Sequence, residues 1–564
     1  MPSLPLHRPS KRHHRRSSRS LKGASGQSAG ACTRLCIACG VVVLGLYVGT
    51  RFIQSTLKPR QQAPTVPAGQ QSGKQQQQAP GSQQYTRHDG AASDGPEVPL
   101  HPNTAAVTVA PGSGQQHIVE ASRGEMDCSA VKRGHNADKI SNIAYWRDVP
   151  SDNQRPPELL AVEKLGPERK YVTFEADTAG WNNKRMGMEA VLIFASLTGR
   201  TLVMPPEQRI YQLNHDRAAA NARLDFSDFF PLERVTALHR LSVITTEEFL
   251  AREGAQNAGS TLRIELSKAA SELSAVEAAR LLEKVAGAWG EAALPLVRPG
   301  RQGYVLPFEA GGRVNLTDPR YADGDVERWL AGRELLEYTP EMQAAPIIHW
   351  RARESRLLTH FYTFARHSAP AVDRYHKRLM RDLMHYRDEM FCKASQVVSL
   401  VRGEAPGSVF SSFHIRRGDF NLEKQRMTAE DMLASVEEYL RPGELVFIAT
   451  DERDKSFFEP MRRVYEIRFL DDYWQTAALD ELSNKNYVPM VDSIVASHGR
   501  TFTGTWFSTF TSYILRMRGY LEYPRTSNWH FQPSKRKHAH GDQQPRPPFW
   551  MTEWNQCWDN IDNA

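Results

Sequence analysis

The sequence predicts an α/β fold made of two blocks, and three observations carry that prediction. A β-branched and aromatic strand, "YVTFEA" from Tyr171, passes through a turn into a helical pattern and then a second strand, "RTLVMPP". After Gly407 come three further apolar strands, "SVFSSFHI", "ELVFIATDE" and "YEIRFLDDY". Near Thr501 another strand meets Gly504 and gives way to a helix in which Phe510, Tyr513, Ile514 and Met517 share one face and Gly519 ends it. Strands alternating with helices indicate parallel sheets, whose ligands gather at the carboxyl ends of the strands.

At 564 residues and 40% hydrophobic, the chain has room for two or three domains with cores of their own. The net charge of +7 is concentrated in a basic segment, 1–34, at Arg8, Lys11, Arg12, Arg15, Arg16, Arg19 and Lys22. A nucleic-acid partner is not expected, because an arm of that kind needs no apolar run behind it. Such a run does follow, "LCIACGVVVLGLYVGT", and 35–51 is expected to form one transmembrane helix. The charge asymmetry then predicts a type II membrane protein with a cytosolic tail and a lumenal head, placed in the Golgi membrane. A cleaved signal peptide is the alternative. Residues 52–125, with "KQQQQAPGSQQ" at their centre, lack the apolar residues that offset conformational entropy and read as a disordered stem.

The head divides into 126–400 and 401–530, followed by a tail, 531–564, in which Trp550, Trp554 and Trp558 are spaced to share a helical face. Cys128, Cys392 and Cys557 permit one disulfide without fixing the pair. Asn315 begins an N-glycosylation sequon. Asp323-Gly324-Asp325 has a metal-binding spelling but sits in a polar loop with no buried strand ahead of it, and no Cys/His cluster has metal-site spacing. The expected chemistry uses no metal.

In the first block the turn "DTAGWNN" holds Gly180 and two candidate helix caps, Asn182 and Asn183. The helix behind it places Met188, Val191, Leu192 and Ala195 on one face and stops at Gly199. In the second block "HIRRGD" sets Arg416 and Arg417 where a strand ends. The helix beginning near Ser508 or Thr509 offers unpaired backbone N–H groups and partial positive charge, an anion site by construction. Gly504 would permit close backbone approach. If the two features face one crevice they suit a diphosphate, which a guanidinium fork grips in pairs of oxygens. Taken singly, Ser508 is an ordinary cap, His414 a core histidine, and one arginine a partner for Asp419.

The order "GWNNKRM", "HIRRGDF", "ATDE", "FTGTWFSTFTSYI" resembles the GDP-fucose protein O-fucosyltransferase family over Tyr171 to Tyr520, and more distantly the transferases that fucosylate N-glycan cores. The resemblance implies a GT-B-like architecture of two facing Rossmann-like domains, with the acceptor near 126–400 and GDP-fucose held by 401–530. It makes Arg416 the diphosphate ligand and Arg417 its support, and sets His414 against the nucleotide and Asp492 near guanine. Ser508, Thr509 and Phe510 would line the phosphate and sugar, Asn182 and Asn183 the mouth of the first domain, and Asp451 either the donor or the strand end. It further implies metal-free transfer with inversion to a protein Ser or Thr hydroxyl. A glycan or cell-wall polysaccharide acceptor and an inactive lumenal scaffold are the alternatives. Where some relatives carry a glutamate before the Gly-aromatic-Asn turn, this chain has "DTAGWN", leaving Asp177, Glu175 or the phosphate itself to take the proton.

Overall fold

The computed structural model describes residues 143–254, 340–350, 369–418 and 426–531 with short interruptions, and smaller pieces within 122–131, 293–295, 302–305, 334–337 and 553–562. The segments 1–34 and 35–51, nearly all of 52–125, the Asp323 loop, Asn315, Asp419, Trp550 and Cys557 lie outside the described residues.

Two five-stranded sheets, each wholly parallel, organise the head. The first contains β1 (Tyr171–Phe174), β2 (Thr201–Met204), β3 (Val243–Thr245), β4 (Ala293–Pro295) and β5 (Ile347–Trp350), in the order β3-β2-β1-β5-β4. The second contains β6 (Ser411–Ile415), β7 (Leu445–Thr450), β8 (Glu466–Arg468), β9 (Phe502–Gly504) and β10 (Asn528–His530), in the order β8-β7-β6-β9-β10. Chain order reverses beside β1 in one sheet and beside β6 in the other, and each reversal opens a crevice at the strands' carboxyl ends. The expected α/β fold with two parallel-sheet units is therefore present.

Helix α1 (Trp181–Thr198) joins β1 to β2 and ends on Gly199 at φ 62°, the left-handed geometry that glycine supplies without strain. Its start differs from expectation. Gly180 occupies the N-cap, and Asn182 and Asn183 fall inside the first turn instead of capping it. Apart from Asn183 the whole helix is buried, because α6 (Thr509–Tyr520) covers the face that a lone βαβ unit would leave wet. One apolar core runs from Val172 and Phe174 through α1 into α2 (Pro370–Asp382), α3 (Asp388–Glu404), α5 (Val488–Ser497), Phe447 and Tyr513, joining the two sheets. The far face of the second sheet packs separately, with Phe413, Ile415 and Ile448 against Met432 of α4 (Ala429–Val436).

Cys128 and Cys392 form a disulfide. Trp554 and Trp558 return to the head, their rings 5.4 and 6.0 Å from that of Tyr520. Gly519 makes room for this, since a Cβ there would lie 2.0 Å from the Trp554 indole.

The membrane expectation requires correction. Among the described residues no helix is long and apolar enough to cross a membrane. The longest buried helix, α1, has the length but carries Lys184, Arg185 and Glu189, which meet partners inside the head. The transmembrane helix, the type II topology, the membrane partner and the Golgi placement are withdrawn on that finding.

Candidate donor site at the end of the second sheet

The crevice between β6 and β9 is built by a short chain of hydrogen bonds. Gly504 pairs with His414 in register, and the next residue, Thr505, bonds back to β6 twice: its N–H and its hydroxyl both donate to the His414 carbonyl, at 3.0 Å each. The same hydroxyl accepts from the backbone N–H of Arg416 at 3.0 Å. Thr505 thus fastens the arginine at the strand end to the turn that opens α6. That turn holds Phe507 at φ 61°, an uncommon conformation for a residue with a side chain. Ser508 follows as N-cap, buried and making no capping hydrogen bond of its own.

His414 is fixed from below. Thr511 donates its hydroxyl proton to the Thr505 carbonyl at 3.1 Å, so at 2.7 Å it accepts from Nδ1–H of His414. The imidazole leans on Phe510, with ring centroids 4.6 Å apart. Burial, with the nearby Arg416 charge, pushes its pKa down to about 3, so the ring is neutral at any working pH. A Cβ at Gly504 would meet Thr511 Cγ2 at 2.2 Å, so the glycine lets the start of α6 pack close against β9.

Both arginines are partnered. Arg416 Nη1 donates to Asp451 Oδ2 at 2.7 Å, and Asp451 Oδ1 accepts from the Arg417 N–H at 2.7 Å. Gly418 leaves space for that carboxylate, which a Cβ would approach to 2.7 Å. Asp451 therefore orders the strand end. Arg417 turns to the other side of the strand, where Nε meets Glu452 Oε2 at 2.9 Å and the guanidinium lies 3.7 Å over the Phe457 ring. It does not join Arg416 in the crevice. Asp492 sits on α5 behind the end of β7 and takes a hydrogen bond from the Thr450 backbone; burial and the charge of Asp471 hold its pKa well above the usual carboxylate range. Among the described residues its Oδ1 has no hydrogen-bond partner.

The first domain reaches the same crevice through Asn183. Asn183 Oδ1 accepts from the Thr509 hydroxyl at 2.8 Å. Asn182 points into the core, accepting from Arg185 Nε at 3.0 Å, and is not at the mouth. The carboxyl ends of β1 and β5 carry Glu175 and His349. His349 Nδ1 is 2.7 Å from the Thr173 hydroxyl, and its Nε2 lies 4.0 Å from Glu175 Oε1. Asp177 is buried, its Oδ1 accepting from the Ala179 N–H at 2.7 Å. Thr505, Thr511 and His349 escaped the sequence reading. Only "IIHW", an apolar strand with a histidine next to last as in "SFHI", offered a signal.

A second cavity, of about 610 Å³, opens at the amino ends of β1, β2 and β3 among Arg155, Lys170, Arg200 and Glu253. Arg155, Lys170 and Arg200 donate to backbone carbonyls and Glu253 pairs with Arg169, so it is the weaker candidate.

The sequence profile of the GDP-fucose protein O-fucosyltransferase family matches residues 171–521, which span both sheets up to β9 and all of α6. The chain belongs to that family. At the level of the family it is a GDP-fucose-dependent fucosyltransferase. Solved structures to which the chain is similar include POFUT1 in complex with GDP-fucose, at 13% identity over 66% of this chain and 99% of that one, with a TM-score of 0.32. A mutant of Arabidopsis thaliana FUT1 in complex with GDP is similar at 11% identity over 64% of this chain and 72% of that one, TM-score 0.31. NodZ alpha-1,6-fucosyltransferase soaked with GDP-fucose is similar at 13% identity over 62% and 92%, TM-score 0.28. No curated protein matches the chain.

Proposed function

We propose that this O-fucosyltransferase family member transfers fucose from GDP-fucose to a serine or threonine hydroxyl of a protein acceptor, with inversion and without a metal ion. The observation that carries the reading is the Arg416 N–H to Thr505 Oγ1 bond, which fastens a guanidinium and the start of a helix to one crevice at the switch point of the second sheet. Cleavage of the fucose C1–O bond sends its electron pair to the β-phosphate and leaves an oxocarbenium-like sugar. Arg416 and the N–H groups of the first turn of α6 would receive that charge, which grows towards the transition state and so lowers the barrier instead of merely tightening binding. Asp451 holds Arg416 in place. Neutral His414 and Phe510 would flank the nucleotide, and Asp492 would present an acidic group near guanine.

The acceptor oxygen attacks from the opposite face of the sugar and must give up its proton. Glu175 is better placed than Asp177 to receive it. The Glu175 side chain is partly open and beside His349 at the switch point of the first sheet, whereas an oxygen of Asp177 is already held by Ala179. The deciding experiment incubates purified protein with GDP-fucose and either Ser/Thr-bearing protein acceptors or glycans, following GDP release in the presence of a chelator and the anomeric configuration of the product. Chelator-insensitive release with an α-fucosylated protein supports the reading. Turnover on glycans alone would reassign the acceptor, and GDP-fucose binding without turnover would favour a scaffold.

A further inference from the structure

Where α1 crosses α6, four charged side chains are sealed from solvent. Arg185 and Glu189 come from α1 and Arg516 from α6. The fourth, Glu553, arrives from the returning tail, and all four side chains are 0% exposed. Arg185 donates to Glu189 at 2.9 Å and to both oxygens of Glu553 at 2.7 and 2.9 Å. Arg516 donates to both oxygens of Glu189, at 3.0 and 2.9 Å, and stands 3.6 Å from Glu553. Two cations meet two anions only because Glu553 is there. Without it two guanidiniums share one carboxylate in a dry site, which favours separating the helices or admitting water.

The same two helices carry the donor crevice at their starts. Arg185 bonds to Asn182 in the first turn of α1, and the neighbouring Asn183 meets Thr509, the first residue of α6. Arg516 lies two turns further along α6. We propose that Glu553 is a positioning residue for donor binding: by neutralising the Arg185–Arg516 pair it fixes the crossing of α1 and α6, and so the separation of Asn183 and Thr509 at the crevice. The inference rests on the donor reading of that crevice.

The tail has a second anchor that provides a control. Asp562 pairs with Arg381 at 2.7 Å and Arg147 at 3.2 Å, away from the four-charge cluster. The test measures GDP affinity calorimetrically, with thermal stability alongside, for the full-length wild type, Glu553→Gln, Glu553→Asp and Asp562→Asn. Glu553→Gln is expected to weaken GDP about tenfold or more, as a displacement on the ångström scale can. Glu553→Asp recovers most of that loss, and Asp562→Asn lowers the melting temperature while leaving GDP affinity within about twofold of wild type. Equal losses of affinity in Glu553→Gln and Asp562→Asn, or none in Glu553→Gln, overturn the proposal. If Glu553→Gln alone does not fold, the charge-balanced Glu553→Gln/Arg516→Gln protein replaces it; a folded double variant with restored affinity supports neutralisation, and one without it refutes neutralisation. Wild-type protein that binds no GDP would overturn the donor reading and this inference together, a result distinct from wild-type binding that Glu553→Gln leaves unchanged.

Discussion

Changing Arg416 to alanine removes two interactions at once, and their sizes can be worked out separately. The guanidinium is the cation aimed at the leaving phosphate, and loss of one preorganised donor to a developing oxyanion costs about 3 kcal/mol. It is also the partner of Asp451, 2.7 Å away, whose side chain is only 10% exposed. With the guanidinium gone, that carboxylate faces the β-phosphate at roughly 6 Å, a repulsion of about 3 kcal/mol at an effective dielectric constant near 20. GDP-fucose turnover is therefore expected to fall by about four orders of magnitude. Asp451→Asn in the same background removes the second loss and leaves the first, because Oδ1 of the amide still accepts from the Arg417 N–H. About a hundredfold of the rate should return. Single-turnover GDP release at saturating donor reads both effects. An Arg416→Ala protein within tenfold of wild type, or a double variant no faster than the single, refutes this account of the crevice.

Three further outcomes are expected. Gly504→Ala drives a Cβ into Thr511, which His414 and the Thr505 carbonyl both hold, so it should lose about 1–3 kcal/mol of stability and weaken donor binding; Thr511→Ser, which deletes the clashing methyl, should restore part of both in a denaturant titration with GDP. Cys392→Ser opens the bond to Cys128 and should cost about 2–5 kcal/mol, read as an earlier unfolding midpoint in non-reducing denaturant, with wild type falling to the same value under reductant. Burial lowers the pKa of His385 to about 3, so below the ordinary value of 6.5 the unfolded chain binds a proton that the folded protein refuses. Its contribution is intact above pH 6.5 and drains away as pH falls towards 3, at about 1.4 kcal/mol per pH unit. His385→Gln should flatten the acid limb of the stability curve by that slope, and parallel limbs would count against it.

The second sheet was the more readable half, for a physical reason. Its inner strands β6, β7 and β9 are apolar runs bounded by turn residues, and α6 carries a clear 3.6-residue repeat, so local pattern and tertiary placement agree. The first sheet hid three strands, β3, β4 and β5, downstream of the unit that announced it. The errors have a common source. Asn182 looked like a cap and turned inward, where it accepts from Arg185, and Thr511, the neighbour that requires a glycine at 504, could not be placed beside it. Adjacent arginines looked cooperative, yet strand alternation sends Arg417 to Glu452 and Phe457. Contacts of that kind are set by chain topology, and a window of neighbouring residues carries no trace of them. Nor could hydropathy foretell an α1 buried at every position but Asn183, with its charges matched by groups from α6 and the tail.

The ionic knot at the helix crossing also bears on how the chain reaches its native state. Arg185 and Glu553 are 368 positions apart, so during synthesis Arg185 can pair with Glu189 of its own helix, but the four-charge cluster waits until a distant segment emerges. Long sequence separation of this sort slows the search for the native topology and prolongs exposure of sticky intermediates. Expressing the first sheet without its carboxyl-terminal complement should accordingly give an aggregating fragment, and supplying the missing segment in trans should rescue it.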